Sequence, residues 1–172
     1  MHSLTLWRLN WALLLLHGIG AVLAWSALPQ RIPIHFGLGA APDAWATTSL
    51  ASWFGLFAVS AVTSTFIHAL SRYGPLTLWN IPEKERFLQL SPRQRAPVLE
   101  LLYSFMAAAA ICTTVALLAL HLGLYLVASG RTPALPWYTQ AATYGGFVLL
   151  LVGLVPWSRA VRRAVLHAAN SE

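Results

Sequence analysis

His35 and Asp43 lie eight positions apart in a stretch rich in proline and glycine, with Arg31 and Trp45 at its two ends. An imidazole, a carboxylate, a guanidinium and an indole in one short segment form a set that could contact a polar ligand. The other ionisable groups in apolar surroundings are histidines. His17 falls near the middle of the first apolar run, His68 near the inner end of the second, and His121 in the outer half of the third. Ionisable side chains at membrane depth are functional candidates. Antiparallel neighbours place these three at different depths, and one metal needs every ligand within about 2.1 Å. They are therefore expected to stay apart, as neutral groups bonded to neighbouring helices. His35 and Asp43, joined by His121 from below, are the one outer set with metal-ligand types, and zinc usually takes three or four protein ligands. No metal, cofactor or catalytic residue is expected. No serine-histidine-acid grouping, phosphate-binding glycine loop or CxxC pair is present, and the single cysteine, Cys112, has no partner within the chain. The chain does not read as an enzyme.

What must position these residues is a set of four apolar runs, Leu9 to Leu28, Leu50 to Leu70, Leu101 to Val127 and Tyr138 to Pro156. At about 1.5 Å per residue, roughly 20 residues cross a hydrocarbon core. The fold expected is an all-α integral membrane protein, one domain of four transmembrane helices over residues 1–172. Only 9% of residues are charged and mean hydropathy is +0.63, so the net charge of +6 does not mark a nucleic-acid-binding module. The basic residues sort instead by side. Arg8, the connection 71–100 and the C-terminal tail carry nine Lys and Arg, against Arg31 and Arg131 in the other two connections. The positive-inside rule then puts both termini in the cytoplasm. Trp7, Trp11, Trp79 and Trp157 fall at inner boundaries and Trp25, Trp45, Trp53 and Trp137 at outer ones, as an aromatic belt would. Cleavage of the first run as a signal peptide is a minor alternative, because that run is longer than an ordinary signal core. Intramembrane carboxylates are lacking, which argues against an ion-coupled transporter. Gly18, Gly20, Gly55, Gly145, Gly146 and Gly153 suit close helix packing and also allow a homo-oligomer.

The segment from Leu28 to Trp45 reads as an ordered cap. Ile32, Ile34 and Phe36 alternate with Pro33 and His35, so an extended strand would turn the three apolar residues inward and His35 the other way. Gly37, Gly39 and Pro42-Asp43 supply turn chemistry, and Thr47, Thr48 or Ser49 can cap the next helix. In a structural role, Asp43 would cap a turn or pair with Arg31 and His35 would bond a backbone carbonyl. In a binding role both would face a ligand. The pattern Leu28-Pro29, Ile32-Pro33, His35-Phe36, Gly39, Pro42-Asp43 and Trp45 resembles the signature of a bacterial membrane domain of unknown function. That domain also forms the N-terminal part of SdpI-type toxin-immunity proteins. The resemblance implies a multi-pass bacterial plasma-membrane protein, some of whose relatives confer immunity to a secreted peptide toxin and signal its presence. It brings no catalytic residues, and the chain is too short for the second half of the longer immunity proteins.

The connection from Ser71 to Glu100 should be helical, starting near Asn80 and Pro82, with Phe87, Leu88 and Leu90 turned to the membrane interface. Ser91 and Gln94 form a capping box for a helix that runs through Pro97 into the third span. Arg159, Arg162 and Arg163 share one face of a helix beyond the fourth span, as topology anchors or a lipid or partner contact. The function expected is sensing or binding, or an immunity-like role, through residues 28–45, with Arg31, His35, Asp43 and Trp45 as ligand contacts. The alternative is a small carrier or permease-like subunit. The partners expected are the lipid bilayer, an extracellular peptide or small ligand and a cytoplasmic protein, with no nucleic acid.

Overall fold

A computed structural model describes residues 2–170. In chain order it contains α1 (His2–Trp25), β1 (Arg31–Phe36), β2 (Pro42–Thr47), α2 (Leu50–Tyr73), a 3-10 turn (Leu76–Leu78), α3 (Lys84–Gln89), α4 (Pro92–Ala128) and α5 (Trp137–Ala169). Helices α1, α2, α4 and α5 are long and apolar enough to cross a membrane, so the chain is a multi-pass membrane protein in contact with lipid. The apolar runs understate two of them. With 37 and 33 residues, α4 and α5 each reach about 50 Å or more, well beyond a core of about 30 Å.

Helix α4 is the hub and packs against α1, α2 and α5. Its bounds are chemically set. Ser91 and Gln94 form the expected capping box at its start, and it passes through Pro97 unbroken. At its end Gly130 adopts φ +69°, while Gly130 and Arg131 donate backbone N–H bonds to Val127 and Leu126. That is the left-handed Schellman stop, which glycine adopts without a Cβ penalty. Ser49 caps α2 through a reciprocal box with Ser52.

The two ends of the bundle differ. At one, the β1–β2 hairpin and the α4–α5 connection meet, where the Leu135 N–H donates to the Ala40 carbonyl at 2.9 Å. At the other, the Ser3 N–H and hydroxyl both donate to the Glu100 carboxylate at 2.9 Å. The Gln94 amide there donates to the Ala168 carbonyl, and Arg162 Nε donates to Glu83. Acceptance of α1's free N-terminal donors by a carboxylate from α4 satisfies groups that have no partner within their own helix.

Three expectations about packing are corrected. Phe87 and Leu90 do not lie in the membrane interface. They are buried with Val98, Leu102, Val161 and Val165, because α5 continues past its apolar run and offers a protein surface. Helix α3 begins at Lys84 rather than near Asn80, since Glu83 takes φ 56°, outside the helical region. Trp7 and Trp53 are core residues rather than interface anchors. Trp53, only 2% exposed, donates its indole N–H to the Ala21 carbonyl at 2.8 Å and ties α2 to α1. Gly18 and Gly146 do sit at close approaches, against Phe57 and Cys112, but Gly20, Gly55, Gly145 and Gly153 have open space where a Cβ would be.

Candidate functional site

The hairpin brings together what the sequence separates. Antiparallel pairing sets Arg31 opposite Thr47, Ile32 opposite Ala46, Pro33 opposite Trp45 and His35 opposite Ala44, with irregularities on either side of His35. These irregularities break the strict alternation expected of Ile32, Ile34 and Phe36. A bulge adds a residue to one strand and re-aims the side chains beyond it. Ile32 is therefore fully buried while Ile34 is 55% exposed beside His35.

All four candidate ligand residues, Arg31, His35, Asp43 and Trp45, are exposed. His35 Nδ1 and Asp43 Oδ1 lie 2.6 Å apart. Neither structural expectation for this pair holds, since His35 bonds Asp43 and not a backbone carbonyl. Arg31 instead reaches the Trp45 carbonyl at 3.4 Å, a long contact that leaves its guanidinium largely free. Gly37 makes room for the pair: a Cβ there would stand 3.2 Å from Asp43 Oδ2. An imidazole held by a carboxylate in this way presents its second ring nitrogen outward in a fixed orientation.

The opposite side of the hairpin is anchored. Ile32 packs with Trp53 and Leu124, bordered by Ala24, Leu28 and Tyr125. Trp53 in turn lies against His121, ring centroids 4.1 Å apart. His121 Nδ1 is 2.9 Å from His17 Nε2, and both rings are buried, at 4% and 1% exposure. The sequence placed these histidines at different depths, and this is corrected. Helix α1 stops at Trp25, short of the end of its apolar run, while α4 extends to Ala128. Measured from the hairpin end, both rings are then roughly 10–12 Å down. His68 does stand apart, edge-on against Trp7 and Trp11. A cavity of about 330 Å³ lies beside the histidine pair, lined also by Gly20, Ala21, Trp53, Leu118 and Tyr125.

Below the pair the seam stays polar. The Thr114 hydroxyl donates to Asn10 Oδ1 at 2.9 Å, and Ser64 shares a bond with Thr114 at 3.1 Å. The signal for this seam was present in the sequence and missed. Ser3, Asn10 and His17 recur every seven residues in α1, as do Thr114 and His121 in α4. Polar residues at heptad spacing in an apolar helix share the interior-facing stripe. Among the described residues no group of three or more His, Cys, Asp or Glu could hold a metal.

Residues 12–60 match a family described as Domain of unknown function (DUF1648). The match spans most of α1, the hairpin and the first half of α2, less than a third of the chain. Neither curated proteins nor solved structures give a match.

Proposed function

We propose that this chain is a bacterial plasma-membrane protein with both termini in the cytoplasm, whose hairpin faces outward and binds an extracellular peptide or small ligand. The observation that carries the reading is the two-sidedness of the hairpin. One side exposes Arg31, Trp45 and the His35–Asp43 pair. The other seats Ile32 on Trp53, which contacts His121 in the bundle core. A ligand on the free side is thus one strand away from the packed interior, the connection a sensor requires. The distribution of basic residues supports the orientation. An immunity-like role would rest only on the resemblance of residues 28–45 to a domain signature that also occurs at the start of SdpI-type immunity proteins. A cytoplasmic partner would meet the groove formed by Arg93, Arg163 and His167. The polar seam through Asn10, Ser64 and Thr114 gives the carrier reading its footing, and flux into proteoliposomes separates the two.

The test is complementation of a deletion strain by His35→Ala and Asp43→Asn. Both variants should accumulate normally, keep their melting temperature in detergent and fail to complement. Variants destabilised in step with the lost phenotype would make the pair a clasp that shapes the hairpin and would remove the binding role.

A further inference from the structure

The histidine pair carries a chemistry that the hairpin reading does not use. In two neutral imidazoles joined by one hydrogen bond, one ring donates and the other accepts. That leaves one N–H and one lone pair at the two outer nitrogens, whichever tautomer is adopted. These are His17 Nδ1 and His121 Nε2, and neither has a hydrogen-bond partner among the described residues. A buried polar atom without a partner is costly, more so where lipid replaces water. Both rings border the cavity of about 330 Å³, whose other lining residues are Gly, Ala, Leu, Trp and Tyr. Leu23 and Leu122 flank it and are themselves exposed, at 74% and 48%. They lie on helices α1 and α4, so the opening faces the lipid.

We infer that this cavity binds a membrane-dissolved amphiphile with an uncharged, hydroxyl-bearing head, entering sideways between α1 and α4. The size is that of a ligand head rather than a whole lipid, since small-molecule pockets run from about 300 Å³ upward. No Asp, Glu, Lys or Arg lines the walls. An ionised head would therefore be desolvated without a counter-charge, which is prohibitive in an apolar site. A hydroxyl both donates and accepts, matching the two kinds of group the histidine pair offers. The Trp53 and Tyr125 rings supply flat apolar walls, and an alkyl tail would leave past Leu23 and Leu122 along the lipid-facing surface. The site depends neither on the orientation of the chain nor on the solvent face of the hairpin.

Gly20 provides a clean test. It lines the cavity, and a Cβ there would meet nothing within 4 Å. Gly20→Leu therefore fills the space without a backbone clash, and leucine is a better helix former than glycine. The probe is a monoacylglycerol with a diazirine near its head, photolysed with the protein in phosphatidylcholine nanodiscs and mapped by mass spectrometry. Labelling should concentrate on Leu23, Leu118, Leu122 and Tyr125. A long-chain alcohol should compete it away, about tenfold better than its methyl ether or the corresponding quaternary ammonium, the worth of one or two lost hydrogen bonds. Gly20→Leu should remove the labelling while keeping the wild-type melting temperature. Labelling spread evenly over lipid-facing residues such as Leu149 and Leu151, absence of competition, or unchanged labelling in Gly20→Leu would each overturn the inference. None of these outcomes bears on complementation by the hairpin variants, so the two readings fail separately.

Discussion

At the scale of single residues, the hairpin holds one removable strain. Left-handed backbone is rare for residues with a Cβ, yet Ala40 adopts φ 58° at the turn. Its N–H donates to Gly37 and its carbonyl accepts from Leu135, bonds made by the backbone alone. Left-handed geometry costs a non-glycine residue about 1 kcal/mol. Ala40→Gly should keep every bond and relieve that cost, offset in part by the greater freedom of the unfolded chain. The expected result is a small gain in detergent melting temperature, with an unchanged cap. A marked loss would mean that the Ala40 methyl packs in a way the turn geometry does not require. The sequence disclosed His35, Asp43, Arg31 and Trp45 as a group because they sit in one short segment. It did not disclose the His35–Asp43 bond, which needs the turn and the space beside Gly37.

At the scale of elements, periodicity was legible in proportion to its length. The four long helices follow from apolar runs of membrane length, and the Ser91–Gln94 box from its spacing. The inward face of β1 was misjudged because a two-residue period survives no bulge, and bulges leave no mark in composition. The polar seam was overlooked because each member was weighed alone. Helix α1 buries Ser3, Trp7, Asn10, Leu14, His17 and Ala21, a seven-residue repeat that mixes polar with apolar residues. Asn10 is the central link, accepting from Thr114. Asn10→Ala should destabilise the bundle by about 0.5–2 kcal/mol, the range for hydrogen bonds between membrane helices. Thr114→Val should cost a similar amount, and the double variant less than the sum, because the two residues share one bond. Unfolding in mixed micelles measures all three. Strict additivity would show that the seam is not a connected network.

At the scale of the whole molecule, the account rests on a polarised bundle. One end carries the hairpin, the other the α3 elbow and the helix ends that clamp it through Phe87, Glu83 and Arg162. The orientation proposed for the two ends rests on nine basic residues against two, a pattern visible in the sequence. The meeting of His17 with His121 was not, since it turns on where α1 stops. The central claim is that the hairpin lies outside the cell with one face free and the other seated on the bundle. Thiol labelling in intact cells tests it most directly, with Cys112 replaced by serine and single cysteines placed at Trp45, Ile32 and Arg163. The account predicts rapid modification of the Trp45→Cys protein by a membrane-impermeant reagent. Ile32→Cys should react only after denaturation, and Arg163→Cys only after the membrane is breached. Modification of Arg163→Cys in intact cells with Trp45→Cys protected, or equal rates at positions 45 and 32, would contradict it.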